Sequence, residues 1–104
     1  MSATREEVYA ALDSELDYQL AMSIRAHGDP AEEGRKKLEQ FAYYMEDYQR
    51  ELKTQLSRTW GPTAYSAALG TMRKITALGV AAMVIHGAPH RKSPTKHEHG
   101  TDLT

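Results

Sequence analysis

Two adjacent cationic residues in the last third of the chain are best suited to bind an anion. Arg73 and Lys74 are followed by an apolar run and then by His86, a Gly-Ala-Pro segment, His90 and Arg91. A guanidinium binds phosphate through two parallel hydrogen bonds, and an ammonium binds it as a point charge. The pattern predicts a phosphate site built from Arg73, Lys74 and Arg91. The alternative is that Arg73 and Lys74 pair with acidic residues of other helices.

Aromatic residues and one histidine are the candidates for binding the rest of such a ligand. Tyr43 and Tyr44 face outward from a predicted helix and can stack on a nucleobase or form an interface, whereas Tyr48 lies in an apolar seam. His86 falls in the last turn of a predicted helix, where it can hydrogen-bond free carbonyl groups and complement the helix dipole. The functional alternative places His86 at a ligand pocket.

Carboxylates provide a different candidate site. Mg²⁺ needs oxygen ligands in octahedral geometry, and carboxylates from two helices can converge on it. The candidates are Glu15, Glu39, Asp47 and Glu51. The competing interpretation is solvated helix faces with surface ion pairs such as Glu46 with Arg50. His97 and His99 lie in a polar tail, where we expect them to be solvated.

Composition limits the classes of function. The 104-residue chain is short enough for one domain, and without cysteine it has no thiolate metal site or cysteine nucleophile. Its net charge of −1 divides into −5 for residues 1–57 and +4 for residues 58–104. The basic half is too weakly charged for a general duplex-DNA binder. We find no membrane-spanning run and no signal peptide, so we expect a cytoplasmic protein without a membrane partner.

Local signals predict two helices in the first 60 residues. The segment Thr4-Arg5-Glu6-Glu7 predicts a capping box, and Gly28 is the expected stop of the first helix after about Ala26. The apolar stripe of this helix recurs every four residues: Val8, Leu12, Leu16, Leu20 and Ile24. Residues 29–32 carry the signals of a helix start, but Gly34 weakens this first helical turn. The stable part of the second helix is therefore expected from about Arg35.

The second and third helices each carry a distinct apolar pattern. The second has a narrow heptad-like seam of Leu38, Phe41, Met45, Tyr48, Leu52 and Leu56, ended by Trp60-Gly61-Pro62. The third is expected from a cap at Thr63 to about His86 and is apolar on two sides. One face collects Tyr65, Ala68, Met72, Ile75, Gly79, Ala82, Met83 and His86. The opposite face collects Leu69, Arg73, Ala77, Val80 and Val84.

These elements predict an all-α fold of three long helices in an antiparallel bundle. Residues 1–89 form the predicted bundle domain and residues 90–104 a disordered, flexible polar tail. A helix that is apolar on both sides must be covered on both sides, so one side of the third helix should meet a second subunit or line a site that contains Arg73. We therefore expect a homo-oligomer, most simply a two-fold dimer.

Three segments resemble a group of small bacteriophage and prophage helical proteins, some of them labelled MazG-like. They are residues 15–19 (ELDYQ), residues 41–48, and the stretch from Arg73-Lys74 to His86-Gly87-Ala88-Pro89-His90-Arg91, so that the resemblance spans roughly residues 6–91. It implies an oligomeric all-helical fold. MazG-type enzymes are nucleoside triphosphate pyrophosphohydrolases whose Glu-x-x-Glu and Glu-x-x-Asp pairs hold magnesium. This chain has neither pair, and Gln40 and Val84 are neutral where the group often has acids.

Three hypotheses follow from the sequence. The first is a helical oligomer that binds a phosphorylated nucleotide between its subunits without hydrolysing it, using Arg73, Lys74 and Arg91 for phosphates and tyrosines or His86 for the base. In a phage-infected or lysogenic bacterium, it would sequester a host immune signal. This hypothesis needs no cofactor and has no catalytic residues. The second is a magnesium-dependent pyrophosphohydrolase using the four carboxylates, and the third is a protein-binding adaptor or an inhibitor of a host enzyme.

Overall fold

The protein is built from helices. A computed structural model describes residues 2–27, 35–58 and 61–92. It contains α1 (Arg5–His27), α2 (Leu38–Arg58) and α3 (Pro62–His86), and no strand occurs within those ranges. The predicted all-α class is confirmed, and the described residues contain the three long helices. The tail beyond residue 92 lies outside the described residues.

The start of α1 confirms the predicted capping box. The Glu7 amide donates to the Thr4 hydroxyl oxygen at 3.1 Å, and the Thr4 amide donates to Glu7 Oε1 at 3.0 Å. These two bonds satisfy amide groups that the first turn of a helix leaves without an intrahelical partner. Gly28, the restart at 29–32 and Gly34 fall in a stretch that the structure does not describe.

The second helix begins three residues later than the sequence suggested. Arg35, Lys36 and Lys37 precede it, and α2 starts at Leu38. The Gln40 side chain fixes this start, because its Oε1 accepts the Lys37 amide at 2.7 Å, as the last residue of a capping box does. Trp60 is outside the described residues.

The third helix begins two residues earlier than a cap at Thr63 predicts. Gly61 occupies the N-cap with φ of 87°, makes no side-chain capping bond, and is followed by Pro62 in the first turn. Proline suits that position because its missing N–H would have no partner there. The predicted end is confirmed: Gly87 has φ of 118° and its amide donates to the Met83 carbonyl at 2.9 Å.

Helix α3 is the central helix, against which the other two helices pack. It packs along both α1 and α2, whereas α1 and α2 barely meet each other. Its contacts with α2 pair the start of one helix with the end of the other. Thr71, in the first half of α3, donates to Gln55 near the end of α2, and His86, the last residue of α3, contacts the carbonyl group of Lys36 just before α2. The core between them is small, with Phe41 fully buried against Leu78 and Ala82.

The buried residues of α3 come partly from each predicted face and partly from the arc between the two faces. They are Ala68, Thr71, Ala77, Leu78 and Ala82. Tyr65, Met72 and Met83 of the first predicted face are exposed. The group formed by Ala68, Thr71, Leu78 and Ala82 is centred about 60° from the middle of the first predicted face, since successive residues are 100° apart. Alternating apolar residues covered too wide an arc of this helix to fix the direction from which α2 approaches.

One expectation about membranes needs correction. Among the described residues, the segment Tyr65–His86 is long and apolar enough to cross a membrane by length and composition. The core helix of a soluble protein passes the same test, so this observation is weak evidence for a span.

Candidate ligand-binding cleft

A cleft lies on the side of α3 where α1 and α2 diverge. Its volume is about 460 Å³, within the usual range of small-molecule sites. Helix α3 forms its floor, and α1 and α2 form its walls. The lining residues are Glu15, Tyr18, Gln19, Met22 and Ser23 from α1, Lys36, Tyr44 and Tyr48 from α2 and the segment before it, and Lys74 and Leu78 from α3.

Two lysines in the cleft lie against aromatic rings. Lys74 Nζ is 5.6 Å from the centroid of the Tyr48 ring. Lys36 Nζ is 5.7 Å from the centroids of both Phe41 and Tyr44. Cations within about 6 Å of a ring centroid are attracted to the ring. These contacts orient two positive charges at the lining of one cleft.

Glu15 is a nearly buried carboxylate of the same cleft. Its Oε1 accepts a hydrogen bond from Arg73 Nε at 2.8 Å, and its Oε2 accepts one from Gln19 Nε2 at 3.3 Å. Gln19 Nε2 also lies 3.4 Å from the carbonyl oxygen of Lys74. A buried carboxylate needs such partners. Arg73 therefore pairs with the only carboxylate among the described lining residues, and Lys36 and Lys74 bring two cationic side chains to the same lining.

The structure places only two of the six predicted ligand residues, Lys74 and Tyr44, in the cleft. Arg73 pairs with Glu15, which was the alternative interpretation of its charge. Tyr43 faces solvent with 68% of its surface exposed. Arg91 is exposed beyond the end of α3 and is not among the lining residues.

His86 supports the cleft from outside it. Its Nε2 is 2.8 Å from the Lys36 carbonyl oxygen, and its ring meets Phe41 edge-on at 6.5 Å between centroids. Because a carbonyl only accepts hydrogen bonds, Nε2 carries the hydrogen in this contact. His86 thereby ties the end of α3 to the backbone of Lys36, whose side chain lines the cleft. This contact corresponds to the structural alternative for His86.

The four carboxylates of the alternative metal site lie in different surroundings. Glu15 is paired with Arg73, and Glu39 and Glu51 are exposed. Asp47 is also exposed and lies 3.6 Å from Arg50. Within residues 2–27, 35–58 and 61–92, no group of three or more metal-ligating side chains comes together.

Sequence reasoning missed part of the lining. Lys36 was not singled out, although it precedes the aromatic series Phe41, Tyr44 and Tyr48 by one to three helical turns. A lysine shortly before a helix that carries aromatic residues on one side is the sequence signal that could have identified Lys36. Gln19 offers no comparable signal, since its role depends on a helix 55 residues away.

Comparison of the chain with protein-family models, curated proteins and solved structures found no match. The resemblance to MazG-like phage proteins stays a prediction.

Proposed function

We propose that the protein binds a small phosphorylated nucleotide in the cleft between α1 and α2 and does not hydrolyse it. The observation that carries this proposal is the pair of lysines, Lys36 and Lys74, each set against tyrosine in one cleft of about 460 Å³.

In this proposal, Lys36 and Lys74 bind the phosphate groups of the nucleotide. An ammonium carries three rotatable donors and a compact charge, which suits phosphate oxygens at varied angles. Charge–charge attraction is stronger in a partly enclosed cleft than in bulk water. The Glu15 carboxylate does not cancel this attraction, because Arg73 already pairs with it at 2.8 Å.

In this proposal, the base packs against the aromatic and apolar part of the lining. Tyr18, Tyr44 and Tyr48 offer ring faces, and Met22 and Leu78 offer apolar surface. Aromatic rings stack on planar partners in offset or edge-on arrangements. Gln19 and Glu15 add polar groups that can select among bases by hydrogen bonding.

The proposed biological setting is the cytoplasm of a phage-infected or lysogenic bacterium, where the protein would act as an antiparallel helical bundle and a homo-oligomer. There, retention of a nucleotide without cleavage would remove a host immune signal. This setting rests on the resemblance to phage proteins and not on contacts in the cleft.

Calorimetric titration of the full chain tests the proposal. The panel contains linear and cyclic nucleotides, the matching nucleosides and inorganic phosphate. We expect one nucleotide per chain, with the nucleoside and the phosphate alone binding at least tenfold more weakly. Lys36→Gln should weaken binding, whereas Lys37→Gln, which removes an equal charge from an exposed neighbour, should not. Absence of heat with every nucleotide contradicts the proposal.

Product analysis of the same mixtures separates binding from catalysis. Each nucleotide is incubated with the protein and Mg²⁺ or Mn²⁺ and then separated by chromatography. We expect the nucleotide to be recovered unchanged. Release of pyrophosphate that Glu15→Gln abolishes would favour the pyrophosphohydrolase alternative instead.

A further inference from the structure

The side of α3 that faces away from the cleft carries an uncovered apolar ridge. The ridge consists of Tyr65, Leu69, Met72, Thr76, Val80 and Met83. Its members follow one another at intervals of four, three, four, four and three residues, which keeps them on one side of a helix. Leu69 at its centre line is 66% exposed. The ridge runs nearly the whole length of the helix, from its first turn to its last.

The ridge presents almost no polar group. The Thr76 hydroxyl donates to the Met72 carbonyl oxygen at 2.8 Å, so its hydrogen is already used within the helix. The charged residues of α3 lie beside the ridge and not on it, since Arg73 pairs with Glu15 and borders the groove on the α1 side, and Lys74 lines the cleft. The ridge therefore has no charge with which to attract an acidic or basic partner, and an apolar surface is its natural complement.

Apolar grooves flank the ridge on both sides near the start of α3. On the α2 side, a groove of about 210 Å³ is lined by Leu52 and Leu56 together with ridge residues. On the α1 side, a mainly apolar groove of about 250 Å³ includes Val8 and Leu12, with Glu7 and Arg73 also in its lining. A partner ridge can insert its side chains into these grooves, as in ordinary helix packing.

The exposed area fits a dimer interface. At roughly 150–200 Å² for a whole large apolar side chain, the exposed parts of the ridge and its neighbours amount to roughly 600–800 Å² per chain. The neighbours counted are Val8, Leu56 and Val84. A standard interface buries about 800 Å² per partner. The largest apolar patch of a typical monomer is about 300–600 Å².

We propose that the ridge is covered by the same ridge of a second copy of this chain, with the two α3 helices running in opposite directions about a two-fold axis near Thr76. The spacing supports this arrangement. Leu69 and Met83 lie seven residues on either side of Thr76, and Met72 and Val80 lie four residues on either side. Opposed helices also align their dipoles favourably. Each chain then keeps a complete cleft of its own on the outside of the dimer.

Sedimentation of the full-length protein is the first test. We expect a species of twice the 11.7 kDa chain mass at micromolar concentration. Leu69→Glu should convert it to a monomer that stays helical by circular dichroism. The matched control is Tyr43→Glu, which places the same charge at an equally exposed apolar site on α2 and should leave the dimer intact.

Disulfide mixing tests the direction of pairing in otherwise native protein. The chain has no cysteine, so Leu69→Cys and Met83→Cys introduce single thiols. In the proposed dimer, two Leu69 positions are about 21 Å apart along the helices, beyond the reach of a disulfide. Mixed variants should therefore cross-link on oxidation, and neither variant should cross-link alone.

Three results would overturn the proposal. The first is a wild-type monomer at micromolar concentration, and the second is cross-linking of each single-cysteine variant with itself, which indicates parallel helices. The third is co-flotation of the protein with phospholipid vesicles through α3, since the ridge would then face lipid. Nucleotide binding enters none of these readouts, so this proposal and the proposed function can fail separately.

Discussion

Removal of Arg73 should destabilise the protein much more than removal of an ordinary surface arginine. Arg73→Met keeps a long helix-forming side chain but deletes the donor that lies 2.8 Å from Glu15 Oε1. The Glu15 side chain is only 7% exposed and that of Arg73 is 42% exposed. Exposed ion pairs contribute about 0–1 kcal/mol, whereas breaking a buried pair costs about 3–5 kcal/mol.

The mixed burial of this pair places the expected loss between those limits. We expect Arg73→Met to lower the free energy of unfolding by about 2 kcal/mol, because Gln19 remains as a weaker partner of the stranded carboxylate. For a domain of this size, that corresponds to a fall in Tm of roughly 10 °C. The built-in control is Arg50→Met, because Arg50 pairs with Glu46 at 3.1 Å but both side chains are 69% exposed. Its expected cost is about 0.3–0.5 kcal/mol.

Urea denaturation followed by circular dichroism measures both variants at one protein concentration, since the proposed dimer would make the stability depend on concentration. A double-mutant cycle with Glu15→Gln isolates the pair, and we expect a coupling of about 1–2 kcal/mol. Equal losses for Arg73→Met and Arg50→Met would refute the reasoning, because burial of Glu15 would then have no energetic consequence.

Three further predictions follow from other contacts. Lys74→Gln should weaken nucleotide binding about 10–100-fold in calorimetry, because a hydrogen bond to a charged group contributes about 1.5–3 kcal/mol, whereas Lys92→Gln, outside the cleft, should leave binding unchanged. Two hydrogen bonds from Thr4 lower the pKa of Glu7 below the ordinary 4.5: the bond from the Thr4 backbone amide has the larger effect, and the bond from the Thr4 side chain has the smaller one. The stabilisation of α1 should therefore be complete above pH 4.5 and be lost as the pH falls through the lowered value; NMR titration of Glu7 checks this, and a pKa at or above 4.5 contradicts it. Phe41→Ala should cost about 3–5 kcal/mol in urea denaturation, because this side chain is fully buried, and a loss below 1 kcal/mol would show that the core lies elsewhere.

Features encoded in a few neighbouring residues could be predicted from the sequence. The capping box of Thr4 and Glu7 and the end of α3 at Gly87 depend on contacts within four residues, so their residue types suffice. The all-α class follows from the same local signals. Features that depend on how helices approach each other could not be predicted, and the burial of Thr71 and Leu78, which belong to neither predicted face of α3, is one example.

The candidate site shows the same limit. Lys74 and Tyr44 were selected by chemical type and do line the cleft. Arg73 has the same chemistry as a phosphate ligand, but Glu15, 58 residues away, pairs with it. Only the packing of α1 on α3 determines which of these cations reaches the cleft. The orientation of Lys36 likewise depends on the contact of its carbonyl group with His86.

NMR of the full chain with labelled lysine and tyrosine side chains tests the central claim most directly. On titration with the nucleotide that binds best in calorimetry, we predict saturable shifts of Lys36, Lys74, Tyr44 and Tyr48, and no shift of the solvent-facing Tyr43. Shifts confined to Lys92 and Tyr43, or no shift at all, would contradict a nucleotide site between α1 and α2.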